Sequence, residues 1–269
     1  MKENPLSVWK TSKYFHHLKS EEHDEIARET AVTIMLNGSQ YATIVCTPKN
    51  LREMIIGFLA TEGLIRFVSD IKEFTMDDVK GFAYIELHHM PDLNGSRERW
   101  IGSCCGKSRE FYLKQDVQTA KTIMTDMDIS TDDIFALMEQ FESGAETHER
   151  TGGVHQAAIA SNHAIIASYI DIGRHNALDK LYGYILEERL KLKDTCVLFS
   201  GRISSEVILK VSKIGIGIVI AKSAPTDLAL RLADDLNITA IGFARENGFN
   251  VYTHESRVSN NTNQDTNLS

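Results

Sequence analysis

Cys196-Val-Leu-Phe-Ser-Gly-Arg-Ile-Ser-Ser-Glu-Val-Ile-Leu-Lys-Val-Ser-Lys-Ile-Gly-Ile-Gly-Ile-Val-Ile-Ala221 is the stretch that decides the fold class of this chain. A short apolar run, Cys196–Ser200, gives way to a helical stretch near Ser204–Lys213. A continuous apolar strand, Ile216–Ala221, follows. Strands that are apolar on both faces belong to sheets covered by helices on both sides, where neighbouring strands run parallel. The alternation continues outward in both directions. Upstream lies a helix over His175–Lys191 with Leu178, Leu181, Tyr182, Ile185 and Leu186 on one side. Downstream lie a helix over Pro225–Leu236, with Leu228, Leu232, Ala233 and Leu236, and a strand over Thr239–Phe243. The pattern predicts an α/β layer with a largely parallel sheet.

Further upstream, Val154–Ala160 and Ala164–Ile172 read as a hairpin turning at Ser161-Asn162. Ser130-Thr-Asp-Asp133 resembles a capping box with Asp in place of Glu. It opens a helix whose apolar face is Ile134, Leu137, Met138 and Phe141, and Ser143-Gly144 closes that helix. In the first third, Thr30–Leu36 and Tyr41–Cys46 form a second hairpin around Asn37-Gly38. Thr47 is placed to cap, and Pro48 to begin, a helix carrying Leu51, Met54, Ile55, Phe58 and Leu59. A strand over Gly81–Leu87 then leads toward a polar loop. The expected division is a smaller N-terminal α+β domain over residues 1–125, a larger α/β domain over 126–255 and a disordered Ser/Asn/Thr-rich tail over 256–269.

The chain has 269 residues, 42% of them hydrophobic, and a net charge of −8. An acidic chain is a poor general binder of nucleic acid, which needs a Lys/Arg excess to neutralise phosphates. The first residues carry no apolar signal segment, and no apolar run approaches the roughly 18–20 residues of a membrane span. A soluble cytoplasmic protein is expected, with no membrane partner.

Three strand-to-helix junctions combine Gly or Ser with a cation: Asp171-Ile-Gly-Arg-His-Asn176, Ser200-Gly-Arg-Ile-Ser-Ser205 and Lys222-Ser-Ala-Pro-Thr226. Ligands of open α/β sheets bind beyond the carboxyl ends of the strands, and helix N-termini there attract anions. Arg174, Arg202 and Lys222 would add charge for a phosphate-bearing ligand. The same residues also serve as ordinary helix caps and turn formers. Gly152-Gly153 permits close backbone approach ahead of His155, which is an acid/base or ligand-binding candidate and equally a structural histidine.

Two of the four cysteines, Cys104 and Cys105, are adjacent in Gly102-Ser-Cys-Cys-Gly-Lys-Ser-Arg109. The thiolate is the reactive form of cysteine, and the cations Lys107 and Arg109 nearby favour it. Cys46 and Cys196 fall inside apolar strands and read as small buried residues. Zinc is not expected, because two adjacent thiols supply half of a tetrahedral site and no second pair exists.

These segments together resemble the formate dehydrogenase accessory sulfurtransferases, the FdhD/NarQ family. The resemblance runs from about Thr30 to His254. It rests on Gly57-Phe-Leu-Ala-Thr-Glu-Gly-Leu-Ile65, Ser103-Cys-Cys-Gly106, Thr151-Gly-Gly-Val-His-Gln-Ala-Ala158, Asp171-Ile-Gly-Arg-His-Asn-Ala-Leu-Asp-Lys-Leu181, Ser200-Gly-Arg-Ile-Ser-Ser-Glu206, Ser223-Ala-Pro-Thr226, Gly242-Phe-Ala-Arg245 and Phe249-Asn-Val-Tyr-Thr-His254. It implies sulfur relay, as a cysteine persulfide, from a cysteine desulfurase to bis-molybdopterin guanine dinucleotide before that cofactor enters apo-formate dehydrogenase. It implies a C-terminal domain of cytidine-deaminase-like, three-layer form, without the zinc motifs of deaminases.

The family's cofactor-binding stretch maps to Phe243, Ala244, Arg245, Glu246, Asn247 and Gly248. Arg174, His175, Ser200, Gly201, Arg202, Ser223 and His155 are the further cofactor candidates. Family members with Cys-x-x-Cys in the reactive loop differ from the Cys-Cys here. Aligning Ser-Cys assigns the persulfide to Cys104, with Cys105 assisting; aligning Cys-Gly would favour Cys105. A homodimer is expected. The alternative reading is a non-catalytic chaperone that holds the cofactor or apo-formate dehydrogenase. A thiol–disulfide oxidoreductase fits less well, because the helix-start Cys-x-x-Cys is missing.

Overall fold

The computed structural model describes residues 4–77, 79–90, 120–144 and 151–260. The chain divides into two compact units that interleave along the sequence. One comprises Met1–Ser108, Glu146–Gln156 and Tyr169–Arg189, and the other Arg109–Ala145, Ala157–Ser168 and Leu190–Ser269. This differs from a single boundary after residue 125. The chain returns to the first unit twice, and the second return carries a whole helix.

The first unit begins with a hairpin, β1 (Leu6–Phe15) and β2 (Leu18–Ala27), paired only with each other among the described residues. β3 (Thr30–Leu36), β4 (Ser39–Cys46), β5 (Ile71–Asp77) and β6 (Phe82–Leu87) form a sheet of order β4-β3-β6-β5, in which β3 and β6 are parallel. The turn between β3 and β4 falls at Asn37-Gly38, as read from sequence. Both residues have positive φ, 47° and 82°, which a tight two-residue hairpin turn favours. Alternate residues Val32, Ile34, Ala42, Ile44, Ala83 and Ile85 are buried, as a sheet with one inner face requires.

Helix α1 is Leu51–Thr61, with Asn50 rather than Thr47 at its N-cap. Thr47 is fully buried, and its N–H and hydroxyl are engaged with residues 171 and 172, so the helix starts later than its Thr-Pro signal. Every residue from Met54 to Thr61 is buried. The unit's other long helix, Arg174–Glu187, is buried continuously from Asn176 to Gly183. A Cβ built on Gly57 would lie 1.8 Å from the Asp179 carbonyl oxygen, and one built on Gly183 would lie 1.8 Å from that of Glu53. The two helices therefore touch backbone to backbone at paired glycines, which ties Arg174–Glu187 to the N-terminal unit.

The second unit contains β7 (Ile129–Ser130), α2 (Thr131–Ser143) and most of a six-stranded sheet, of which the start of β8 and the end of β9 belong to the first unit. The sheet's strands are β8 (His155–Ser161), β9 (Ile165–Asp171), β10 (Thr195–Phe199), β11 (Ile218–Ala221), β12 (Thr239–Arg245) and β13 (Gly248–Val251). In chain order the helices are α3 (Arg174–Glu187, already placed in the first unit), α4 (Ser205–Ile214) and α5 (Asp227–Asp235). The sheet order is β13-β12-β11-β10-β8-β9. β10, β11 and β12 are parallel, whereas β8 and β13 run antiparallel to their neighbours. The sheet is thus mixed, with a parallel centre, because β8–β9 and β12–β13 are hairpins, whereas β10, β11 and β12 are joined through helices. Ser130 caps α2, accepting from the Asp133 N–H at 3.1 Å. Ile134, Leu137, Met138 and Phe141 of α2 pack with Ala158, Ala160, Cys196, Leu198, Ile218 and Ile220 in one core.

On α5 the buried positions are Ala229 and Ala233, while Leu228 is 45% exposed. The tail is ordered further than its composition predicts. Val258–Ser259 (β14) pairs in parallel with β7. The Arg257 guanidinium donates to the Asn237 carbonyl at 3.0 Å, its Oδ1 at 2.8 Å and Thr239 Oγ1 at 3.1 Å. Residues 261–269 lie outside the described residues. Among the described residues no helix is long and apolar enough to cross a membrane.

Candidate functional site

In the second unit the three parallel strands end side by side, and their exit loops are stitched together. Ser223 Oγ donates to the Ser200 carbonyl at 3.0 Å, and the Phe243 N–H donates to the Ser223 carbonyl at 3.3 Å. Ile203 N–H donates to the Ala224 carbonyl at 3.1 Å, and Thr226 N–H to that of Ile203 at 3.0 Å. Ser200, Gly201, Arg202, Ser223 and Phe243 are thereby brought to one end of one sheet, the end at which α/β sheets bind ligands. Gly242 makes the approach feasible. A Cβ there would meet Pro225 Cδ at 3.1 Å and the Ser223 oxygen at 3.2 Å.

Phe243–Gly248 runs from the end of one strand into the start of the next. Phe243, Ala244 and Arg245 are still β12, Glu246-Asn247 is the turn, and Gly248 opens β13. The pairing of β12 with β13 shifts register between Gly242 and Arg245. Phe243 sits in that shift with φ of 54°, an uncommon conformation for a bulky residue, and its side chain is 44% exposed. Arg202, Arg245, Glu246 and Asn247 are exposed, whereas Ala244 is buried in the core. Lys222 differs from the expectation of an available cation: its Nζ pairs with Glu142 Oε1 at 2.7 Å. Glu142 lies 80 residues earlier, and nothing in the sequence flags it.

The remaining candidates, Arg174, His175 and His155, belong to the first unit. Arg174 and His175 open α3, behind Gly173 as N-cap. The position of that first turn is set by Asp171, which is fully buried. Its Oδ1 accepts from Gly173 N–H at 2.8 Å and Asn176 Nδ2 at 2.9 Å, and its Oδ2 from Thr47 N–H at 3.0 Å. Lys180 Nζ closes the set at 2.7 Å from Oδ2. Arg174 Nε is buried without a hydrogen-bond partner among the described residues. His155 is the first residue of β8, after Gly152 with φ of 62°. Among the described residues no group of three or more His, Cys, Asp or Glu could hold a metal ion.

The sequence profile of the FdhD/NarQ family matches residues 27–259. The chain belongs to this family. It is 51% identical over 241 residues to "Sulfur carrier protein FdhD" of Bacillus subtilis, covering 89% of this chain and 92% of that protein. The protein of the same name from Geobacillus kaustophilus is 49% identical over 259 residues, 96% of this chain and 97% of the relative. A crystal structure of a candidate formate dehydrogenase accessory protein from Desulfotalea psychrophila superposes with a TM-score of 0.78. It covers 95% of this chain and 100% of the other at 23% identity, a likeness of fold.

The chain has four cysteines. Cys104 and Cys105 lie outside the described residues. Cys46 and Cys196 are both fully buried, and burial pushes each thiol up to about 12. At pH 8 neither is a nucleophile. Iodoacetamide added to the native protein at pH 8 is therefore expected to leave Cys46 and Cys196 unlabelled, with both labelled after denaturation. Peptide mass mapping reads this directly; native labelling of Cys46 or Cys196 would contradict their burial.

Proposed function

We propose that this chain is a sulfurtransferase of formate dehydrogenase maturation, carrying sulfur as a persulfide on Cys104 to the molybdenum cofactor. The observation that carries the reading is the extent of the likeness. Relatives named as sulfur carriers match at 49–51% identity over 92–97% of their own lengths. The inertness of Cys46 and Cys196 supports it, since it leaves the Cys104-Cys105 pair as the reactive thiols.

In the first step the Cys104 thiolate attacks the outer sulfur of a desulfurase persulfide. One S–S bond forms, one breaks, and the desulfurase cysteine leaves as thiolate. Lys107 or Arg109 stabilises the anionic sulfur, and Cys105 assists. The acceptor is bis-molybdopterin guanine dinucleotide, taken as substrate. Its phosphates suit the exposed Arg202 and Arg245 with the Ser200–Gly201 and Ser223 turns of the second unit; within the first unit, Arg174, His175 and His155 are candidates for the same chemistry. The Phe243 ring and the Glu246–Gly248 turn complete the cofactor-binding stretch. The proposal includes a cytidine-deaminase-like, three-layer layout for the larger domain, a cytoplasmic homodimer, and the desulfurase and apo-formate dehydrogenase as partners.

The test is intact-protein mass spectrometry after incubation with a cysteine desulfurase and cysteine. Wild type is expected to gain one reducible sulfur, Cys105→Ser to keep it and Cys104→Ser to lose it. Loss in Cys105→Ser alone moves the carrier to Cys105. No adduct on wild type, with active desulfurase, overturns the relay in favour of a cofactor-holding chaperone.

A further inference from the structure

The hairpin β1–β2 precedes the family profile, which begins at residue 27. Ten residues of each strand pair in unbroken register from Leu6↔Ala27 to Phe15↔Leu18, yet no third strand joins them among the described residues. An isolated two-stranded hairpin is marginal in water, and this one exposes Val8 at 63%, Trp9 at 65%, Tyr14 at 67% and Phe15 at 73%. Its two outer edges differ. β2 carries Glu21, Glu22, Asp24 and Glu25 within five residues, so two β2 edges would set like charges opposite one another. β1 carries Lys10 and Lys13, and both already pair with β2, at Glu21 and Glu22. Its cations are thus occupied and do not call for a further acidic strand.

The register fixes which backbone groups of β1 face outward. The turn has two residues, His16-His17, so the closing pair Phe15–Leu18 exchanges both backbone hydrogen bonds. Odd-numbered residues then bond to β2, and Leu6, Val8, Lys10, Ser12 and Tyr14 turn their N–H and C=O outward.

We propose that this edge is a self-association site, where β1 pairs antiparallel with β1 of a second copy about a two-fold axis at Thr11. The product is a closed four-stranded sheet. A two-fold at Lys10 would oppose two lysines, whereas a two-fold at Thr11 opposes none. It sets Val8 against Tyr14 of the second copy, Lys10 against Ser12, and Trp9 against the aliphatic stem of Lys13. The contact is isologous and closes at two chains; β1 on the β2 edge of another copy would be heterologous and would propagate. This gives the proposed homodimer an interface, but it does not depend on sulfur chemistry.

The experiment measures the mass of the full chain in solution by light scattering across concentration. Wild type is expected at twice the chain mass. Ser12→Pro removes an outward N–H while leaving the β1–β2 bonds intact, as edge strands tolerate, and is expected at one chain mass. A second arm does not depend on folding of that variant. In non-hydrogen-bonded antiparallel pairs the Cα atoms lie about 4.5 Å apart, within disulfide reach. Thr11→Cys should give a reducible cross-linked dimer joining the two introduced thiols, and His23→Cys on the β2 edge should not. A monomeric wild type, species larger than a dimer, or a dimer that survives Ser12→Pro without the position-11 cross-link overturns the proposal. The last outcome would leave a homodimer standing on another interface, and none of these outcomes bears on the persulfide test.

Discussion

Gly57→Ala lowers the stability of the protein by about 3 kcal/mol, the upper part of the range for overpacking. The sign is the informative part. In a helix interior Ala is normally better than Gly by about 1 kcal/mol, so propensity alone predicts a gain. Against this stands the contact of α1 with α3. The new methyl carbon would sit 1.8 Å from the Asp179 carbonyl oxygen, 2.7 Å from the Asp179 carbonyl carbon and 2.7 Å from the Gly183 nitrogen. All three are backbone atoms of a buried helix, so no side-chain rotation relieves the overlap. The helices must separate, and the packing of Met54, Ile55, Phe58 and Leu59 loosens with them. Gly248→Ala is the control, because a Cβ there meets nothing within 4 Å. Urea unfolding of the variants should show a large drop in midpoint for Gly57→Ala and little change for Gly248→Ala. Gly183→Ala should behave like Gly57→Ala, since its methyl would meet the Glu53 carbonyl at 1.8 Å. A neutral or stabilised Gly57→Ala would mean that the helices do not meet at these glycines.

Those glycines show what the sequence can and cannot reveal. Periodicity locates α1, α2, α4 and the three parallel strands, because each has a local apolar pattern that only one backbone period satisfies. Partnership is not local. Nothing in residues 174–187 says that they pack on residues 51–61, so sequence order alone puts this helix on the wrong side of a boundary. The start of α1 is misread for a similar reason. Thr47-Pro48 has the chemistry of a helix start, but a carboxylate 124 residues away takes the Thr47 N–H. The tail from residue 256 has the composition of disorder, yet Arg257 anchors its first residues with three hydrogen bonds. The hairpin β1–β2 escapes a periodicity reading because most of its residues are exposed and polar, leaving no buried face to impose a period.

The candidate site is legible in part. Glycine, serine and arginine after an apolar strand imply an exit loop at a sheet's carboxyl end, and Ser200–Arg202 with Ser223 occupy such a position in the second unit. By sequence, Lys222 belongs to the same cationic loop. Its charge is spent on Glu142, a pairing that depends on how α2 folds back and not on neighbouring residues. Ala244 comes with its stretch, yet alternation along β12 turns it into the core. The Asp171–Leu181 segment holds two kinds of residue that sequence cannot separate. Arg174 and His175 open the helix, while Asp171, Asn176, Asp179 and Lys180 hold it in place.

Lys180→Met is the sharper test of that division, with an expected loss of about 3–5 kcal/mol, the range for removing one member of a buried ion pair. Methionine has a similar length but no charge. Lys180 Nζ now donates to the Ile170 carbonyl at 3.0 Å and the Thr47 carbonyl at 3.3 Å, besides pairing with Asp171 at 2.7 Å. Its three protons thus have three partners. Without it, Asp171 keeps the Thr47, Gly173 and Asn176 bonds but becomes a lone charge at 0% side-chain exposure. The double variant Asp171→Asn/Lys180→Met removes both charges. It should be more stable than Lys180→Met alone, because an uncompensated charge costs more than a missing pair. Urea unfolding of the three proteins measures the coupling. If the double variant is less stable than Lys180→Met, the buried charge is not the source of the loss. Recovery of stability by the double variant, without recovery of sulfur transfer measured at low temperature, would show a second effect. The Asp171 carboxylate holds the first turn of α3 through Gly173 and Asn176, and that turn carries Arg174 and His175. An amide at position 171 accepts with one oxygen only, so the helix folds while its leading residues lose their fixed position.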